Sequence, residues 1–159
     1  MRVGCSVSAL RKFEADQLRR MLETSSVLAA TKKDHGVLAD LRAVLNQYEA
    51  AVRARDWMKA VHFDLQFHTV LVRFHHNRRL EPFYQQVIGE LRMGMVLVDR
   101  RHDDPGGLIP VHRKIYQLLA AGKLKLCVTI LAKHLDDSES RLTRVMGGRS
   151  SKANGRSAR

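Results

Sequence analysis

The sequence predicts an all-α protein, an antiparallel helical bundle of about six helices. Across most of its 159 residues, apolar side chains recur at spacings of three and four, which is the periodicity of amphipathic helices. Only three prolines occur, and each falls at or near an expected helix end. The stretches between the periodic segments are short and rich in turn residues, which favours consecutive helices that pack antiparallel to one another.

The first three helices are predicted from their apolar periodicity and their capping residues. The first covers about residues 9–30, and the stretch "TKKD" interrupts the pattern. Thr31 or Asp34 can cap the second helix, because their side-chain oxygens can accept hydrogen bonds from its first turn. Asp56 can cap the third helix in the same way. Since that helix, over about 57–75, is mostly apolar, we expect it at the centre of the bundle.

The remaining three helices are predicted from the asparagine, proline and glycine residues that begin or end them. Asn77 marks the end of the third helix, and a long fourth helix is expected over "RRLEPFYQQVIGELRMGMVLVDRR", residues 78–101, with its proline tolerated in the first turn. The stretch "HDDPGG" predicts a loop. A fifth helix follows Pro110 and ends at Gly122, and a sixth covers about 124–146 before two glycines end it.

The formal net charge of +12 is the strongest feature of the composition. Part of it comes from the segment "GGRSSKANGRSAR", residues 147–159, which has nothing to bury and is expected to be a disordered basic tail. The rest is scattered in basic pairs near helix ends or on polar faces, which favours a solvated surface over a nucleic-acid groove. The alternative hypothesis, a bundle that binds nucleic acid, is therefore supported only by the net charge.

The cysteines and the apolar runs indicate the compartment. Cys5 and Cys127 match no zinc or redox spacing, so both are expected to be free thiols in a reducing environment. No signal peptide is visible, and no apolar run approaches the ~20 residues that span a bilayer. We therefore expect a cytoplasmic protein without a membrane partner.

The stretch "DLQFHTVLVRFHHN" places several polar residues on the apolar third helix. Asp64 and His68 are four residues apart, so their side chains lie one above the other on a single helix face. That spacing can hold a metal ion, and it can equally be one polar stripe on a surface helix. For His62, His75 and His76 a surface or helix-end role is favoured.

Two further histidines lie on the last two predicted helices. His112 is in the first turn of the fifth helix and His134 in the second half of the sixth, so an antiparallel hairpin can bring the two imidazoles together. Either one alone would more often be a hydrogen-bonded core residue. Together with Asp64 and His68 they form a donor set suited to zinc, nickel, manganese or iron. A buried aspartate would also be costly without a positive partner.

Four motifs in order carry a resemblance to a known family. The stretch "LRRMLETSSVLAA" is similar to the opening helix of that family, "DLQFH" resembles its Asp-x-x-Phe-His, and "HNRRL" has its Asn-x-x-Leu joint. His112 and His134 have the family's interval and its Ala-Gly break. The chain thus resembles the C-terminal ligand-binding domain, often called the FCD domain, of the FadR-like branch of GntR-type bacterial transcription regulators. From the resemblance we expect an effector-binding and dimerisation domain over residues 18–146, preceded by a short N-terminal segment over 1–17.

The resemblance implies a function and a set of site residues. The metal ligands of the family fall on Asp64, His68, His112 and His134, with zinc first and nickel, manganese or iron as alternatives. In the family the metal holds the carboxylate of a small organic acid, and arginine side chains assist. Arg19 matches the arginine of the opening helix, and Arg92 is a weaker effector-binding candidate. A guanidinium can grip a carboxylate through two hydrogen bonds, which gives these assignments a physical basis. The family architecture also implies a homodimer.

Arg19 has an alternative role, and the chain departs from the family at two points. Arg19 and Glu23 are spaced to form a surface salt bridge. Val111 stands where the family often has an acidic residue before the third ligand, which leaves the orientation of His112 open. About seventeen residues precede the match, too few for the winged helix-turn-helix domain of whole regulators. DNA binding is therefore expected only through a domain that this chain lacks, whether it is a fragment or a stand-alone sensor.

The sequence favours an effector-sensing domain of a transcription regulator and not an enzyme. The alternative is a small metal-dependent hydrolase or lyase that uses the same Asp/His site, since an open metal position can activate water. No clear general base accompanies the site. Glu81 and Glu90 lie on the neighbouring helix, but nothing in the sequence fixes them beside the metal ligands.

Overall fold

The computed structural model describes residues 7–89, 91–92 and 107–153. Within these ranges a short 3₁₀ turn, Arg73–His75, extends the third of six helices, and no strand occurs. The helices are α1 (Val7–Ala29), α2 (His35–Arg53), α3 (Trp57–Val72), α4 (Leu80–Gly89), α5 (Ile109–Ala120) and α6 (Leu124–Ala153). The prediction of an all-α bundle is confirmed.

Helix α3 lies at the centre of the fold. It packs against α1, α2 and α4, while α5 and α6 form a hairpin whose first helix packs on α2 and whose second packs on α1. One core cluster joins α2, α3, α5 and α6 and includes Val27 of α1, and a second joins α3 to α1 and α4. Because α3 contributes to both clusters, most of its surface is buried, which explains its apolar majority.

Several predicted helix ends are seen in the structure. Asp56 caps α3, because its Oδ1 accepts a hydrogen bond from the backbone of Lys59 at 3.2 Å. Asp34 stands immediately before α2, but its carboxylate accepts from the backbone and hydroxyl of Thr31 and does not cap the helix. Gly122 has a φ of 67°, the left-handed conformation that glycine adopts readily and that ends α5.

Two predicted helix ends are wrong. Helix α4 stops at Gly89 and a tight turn follows, with Leu91 donating to the carbonyl of Ile88, so residues 78–101 are not one helix. The residues after 92 in that prediction lie outside the described part. Glycine weakens a helix by about 1 kcal/mol relative to alanine, so Gly89 permits a helix end here without requiring one.

The predicted end of the last helix at 146 is wrong in the opposite direction. Helix α6 continues through the two glycines at 147 and 148 to Ala153. The disordered tail expected over 147–159 is therefore corrected for 147–153, and residues 154–159 lie outside the described ranges. The same cost of about 1 kcal/mol per glycine makes the helix less stable at these positions, but a helix that already has many turns can still continue through them.

None of the described helices combines the length and the apolarity that crossing a membrane requires.

Candidate metal centre

The four predicted metal ligands come together between three helices. Asp64 and His68 project from α3 one turn apart, His112 comes from the first turn of α5, and His134 comes from α6. All four side chains are buried. One ring nitrogen from each of the three histidines lies within 4.8 Å of the others. The three imidazoles alone could therefore contribute ligand atoms to a single ion.

Asp64 and His112 meet without a hydrogen bond. Asp64 Oδ1 lies 2.9 Å from His112 Nε2, yet both atoms are buried and neither has a hydrogen-bond partner among the described residues. His112 Nδ1 donates to the carbonyl of Leu108 at 2.8 Å, so in the neutral form of the ring Nε2 carries the lone pair. In that form two buried acceptor atoms face each other, an arrangement that a cation would stabilise.

A backbone carbonyl orients the His112 ring, although Val111 stands where the family often has an acidic residue. The backbone carbonyl of Leu108, one turn earlier, accepts the Nδ1 proton and thereby sets the tautomer. Val111 instead packs its side chain against the main core cluster. An acidic residue at that position is therefore not needed to orient the ligand nitrogen.

The ring of His68 is oriented in a similar way, by the side chain of Glu23. Its Nδ1 lies 2.6 Å from Glu23 Oε2, and since an ionised carboxylate only accepts, Nδ1 donates. Its Nε2 lies 3.3 Å from His134 Nε2, and the two rings stack with centroids 5.3 Å apart. The lone-pair nitrogen of His68 is thus turned toward the histidine cluster.

The ionisation states follow from burial and from the neighbouring charges. Burial lowers the pKa of His68, and burial together with the nearby His112 and His68 lowers the pKa of His134 well below its ordinary value. Burial would raise the pKa of Asp64, but His112, His68 and Arg19 lower it below its usual range. Near neutral pH the cluster therefore offers one carboxylate together with neutral His68 and His134.

Arg19 lies inside the protein and not at its surface. Its Nε donates to Glu23 Oε1 at 2.9 Å, so the i,i+4 salt bridge forms, but both side chains are buried and the alternative of a salt bridge at the surface does not hold. Burial lowers the pKa of Arg19, whereas Glu23, Tyr84 and Asp64 raise it, with a net rise. Arg19 Nη2 is buried and has no hydrogen-bond partner within the described ranges. It is a charged donor available to an anion.

Arg92, the second predicted effector-binding residue, is exposed at the end of a described segment. It takes part in none of the contacts that join Arg19, Glu23 and the histidine cluster. Its role stays a prediction.

Glu23 and Tyr84 are site residues that the sequence argument did not identify. Glu23 was considered only as a salt-bridge partner, yet it is fully buried between Arg19, His68 and the Tyr84 hydroxyl. A signal was present, because Arg19, Glu23 and Ser26 follow the spacing of the buried face of α1. For Tyr84 the sequence gives no such signal, since its contact depends on how α4 approaches α1.

The remaining described histidines lie away from the cluster. His35 and His62 are exposed, His75 contacts Ser25 Oγ at 2.9 Å, and His76 Nε2 lies 2.9 Å from Asp34. These are the surface and helix-end roles that the sequence favoured.

Comparison with known proteins places this arrangement in a family. The profile of the FCD domain matches residues 14–137, well over half of the chain. The chain belongs to the FCD domain family. A similar fold occurs in a candidate transcriptional regulator GntR from Rhodococcus sp. RHA1, with a TM-score of 0.74 and 24% identity over 82% of this chain. The match covers 63% of that protein, so the FCD domain described here spans less than two thirds of its length. No curated protein gives a significant match.

Proposed function

We propose that this FCD domain is the effector-sensing part of a GntR-type transcription regulator, in which a divalent metal and an arginine bind a small organic carboxylate. Asp64, His68, His112 and His134 are the proposed metal ligands, and Arg19 is the proposed second anchor. The family membership and the description of the Rhodococcus protein support a regulatory role.

One observation carries the metal assignment. Asp64 Oδ1 and His112 Nε2 face each other in the protein interior at 2.9 Å without a hydrogen bond, beside two more imidazoles. When His112 is neutral these atoms are two desolvated acceptors, and they raise the free energy of the folded protein unless a positive charge lies between or beside them. A bound divalent cation supplies that charge and attracts a carboxylate oxygen as a Lewis acid. Three imidazoles and one carboxylate favour zinc, with nickel, manganese or iron as alternatives.

The charge balance supports a carboxylate as the further ligand. Asp64 and Glu23 are anionic and Arg19 is cationic, which leaves one net negative charge in this buried group when the imidazoles are neutral. A divalent ion changes that to one net positive charge, and a single carboxylate group neutralises it. Since a buried net charge is costly, the loaded site prefers an anion over a neutral molecule. Arg19 Nη2 is the donor available to hold it.

The proposal also implies which partners the protein has and in which compartment it works. A whole regulator reads DNA through a winged helix-turn-helix domain, so this domain would contribute effector binding and dimerisation. A transcription regulator works in the compartment that holds the DNA, so we place the protein in the cytoplasm.

A metal-dependent hydrolase or lyase is the weaker alternative. Of the two carboxylates considered as general bases, Glu81 forms two hydrogen bonds with Arg73, and Glu90 lies outside the described residues. Glu23 accepts hydrogen bonds on both oxygens. A base that is already occupied by donors is poorly placed to take a proton from water.

Native mass spectrometry with metal analysis tests the proposal. Protein purified without chelator should carry one divalent ion per chain, and a panel of small carboxylates should raise its melting temperature only when the metal is present. The same acids should be recovered unchanged, whereas turnover would favour the enzyme. Failure to take up any divalent ion at micromolar concentration would show the metal assignment to be wrong.

A further inference from the structure

Glu23 is a fully buried carboxylate that receives donors from three helices. Arg19, on the same helix α1, donates from Nε to Glu23 Oε1 at 2.9 Å, and the Tyr84 hydroxyl of α4 donates to the same oxygen. The second oxygen, Oε2, accepts from Nδ1 of His68 on α3 at 2.6 Å. One carboxylate thus contacts both the predicted metal ligand and the predicted effector arginine.

The contact with His68 decides which ring nitrogen can bind a metal. A neutral imidazole has one N–H and one lone pair, and the partner of one nitrogen determines the state of the other. Because Glu23 Oε2 takes the Nδ1 proton, the lone pair stays on Nε2, the nitrogen that lies 3.3 Å from His134 Nε2.

The contact with Arg19 decides which guanidinium donor stays free. Glu23 Oε1 engages Nε, and Nη2 is left buried without a partner in the described part of the chain. The Tyr84 hydroxyl fixes the same oxygen from the opposite helix. The side chain of Arg19 is therefore held in one orientation before any ligand arrives, which lowers the entropic cost of binding.

We propose that Glu23 is the positioning residue that joins the metal site to the effector site. Through Oε2 it fixes the metal-binding tautomer of His68, and through Oε1 it aims Arg19. This assignment rests on the proposed function, since it concerns the same site.

Replacing Glu23 by glutamine separates positioning from simple packing. Glutamine has the same shape but only one acceptor oxygen, while the site presents donors to both positions. If the amide oxygen faces Arg19 and Tyr84, its NH₂ group faces His68 Nδ1 and moves the ring proton to Nε2. If the oxygen faces His68, the NH₂ group meets the Nε–H of Arg19. Either arrangement disturbs one half of the site.

The test measures the His68 tautomer and the affinity for Zn(II) in the full chain. Nitrogen–proton correlation spectra of the metal-free protein near neutral pH should show the His68 proton on Nδ1 in the wild type, and on Nε2 in a substantial fraction of Glu23→Gln. Competition with a chromophoric chelator should show Zn(II) binding weakened about tenfold or more in Glu23→Gln, as for other residues that orient metal ligands.

Glu49→Gln is the matched control. Glu49 is also a buried glutamate that accepts from arginine side chains, but it joins α2 to α5 and contacts none of the four proposed ligands. This variant should leave the His68 tautomer unchanged and should not show the loss of Zn(II) affinity, about tenfold or more, that is expected of a residue that orients a ligand. Tyr84→Phe removes one donor to Oε1 and keeps the His68 contact, so His68 should retain its tautomer.

The outcomes separate this inference from the proposed function. A wild-type His68 with its proton on Nε2 would overturn the inference without any variant, even if Glu23→Gln does not fold. Equal Zn(II) affinity and an unchanged tautomer in Glu23→Gln would overturn it while leaving the metal assignment intact. If the wild type takes up no Zn(II), the metal assignment is wrong, and the tautomer measurement alone decides whether Glu23 positions the ring.

Discussion

At the scale of single residues, the energetics of the site depend on acceptor atoms that have no donor. Asp64 Oδ1 and His112 Nε2 lie 2.9 Å apart in the interior, and His68 and His134 bring two more nitrogens beside them. A buried polar group without a partner costs roughly 1–3 kcal/mol. The metal-free protein is therefore less stable than its apolar packing would allow, and cation binding should be strongly linked to folding.

The first prediction compares His134→Ala with His76→Ala. Loss of His134 removes one proposed ligand, so Zn(II) affinity should fall at least tenfold, whereas His76 is exposed beside Asp34 and its loss should change affinity little. At a hundredfold excess over Kd, a ligand stabilises by about 2.7 kcal/mol, which corresponds to roughly 5–10 °C for a protein of this size. The zinc-dependent rise in Tm, measured by calorimetry, should be reduced by about half or more in His134→Ala and unchanged in His76→Ala. Equal retention of metal by both variants would contradict the site.

Spacing within a helix could predict part of this site, and packing between helices set the rest. Asp64 and His68 are four residues apart, so one helix is enough to place them together, and a short hairpin brings His112 near His134. The contact of His68 with Glu23 joins residues 45 positions apart, and that of Tyr84 with Glu23 joins residues 61 apart. Local periodicity can mark Glu23 as part of the buried face of α1, but it does not specify which residues of α3 and α4 that face meets.

At the scale of helices, the ends were harder to predict than the helices themselves. Glycine gave the right signal at Gly122, where the backbone turns left-handed and Lys123 donates back to the carbonyl of Leu118. It gave the wrong signal at 147 and 148, where α6 continues. The difference is physical, because a glycine permits a helix end but does not require one, and the conformation that follows depends on tertiary packing.

The second prediction compares two glycines that differ in backbone conformation. Neither Gly122 nor Gly36 would bring a new Cβ within 4 Å of another atom, so steric overlap does not distinguish them. Gly122 has a φ of 67°, and alanine there should destabilise the protein by about 1–2 kcal/mol. Gly36 lies in the first turn of α2, and alanine there should be neutral or stabilise by up to about 1 kcal/mol. Urea unfolding of both variants measures the difference, and equal effects would contradict this explanation.

The third prediction concerns the ion pair that joins α2 to α5. Arg113 donates to Glu49 at 2.5 and 2.6 Å, and these bonds lower the pKa of Glu49 below its ordinary value. A carboxyl with a lowered pKa contributes stability above the pKa of the unfolded chain, about 4.3, and loses that contribution as the pH falls through the folded value. Arg113 is exposed, so screening by solvent keeps the contribution of this ion pair small. The stability difference between wild type and Glu49→Gln should shrink as the pH falls below about 4, in urea titrations across that range. A constant difference would mean that the ion pair is not its source.

At the scale of the whole molecule, α1 has two faces with different roles. Its inner face carries Arg19 and Glu23 to the candidate site, while Phe13, Met21 and Leu28 are exposed. The exposed three are spaced by eight and seven residues, so they follow one side of the helix. An apolar stripe on a surface helix favours contact with another protein surface. In a family whose architecture implies a homodimer, we expect this stripe to contribute to the contact between two copies.

The last prediction tests that contact by introducing charge. In a two-fold symmetric dimer each substitution occurs twice, so Met21→Glu with Leu28→Glu would bury four carboxylates, and burying an unpaired charge costs several kcal/mol. Light scattering should give a dimer for the wild type at micromolar concentration and a monomer of 18.1 kDa for the double variant. Met58→Glu is the control, because Met58 of α3 is 51% exposed and Met21 is 59% exposed, yet Met58 lies off the stripe. It should remain dimeric. A monomeric wild type would rule out the dimer, and a dimeric double variant would place its interface elsewhere, because four buried carboxylates could not be accommodated at the stripe.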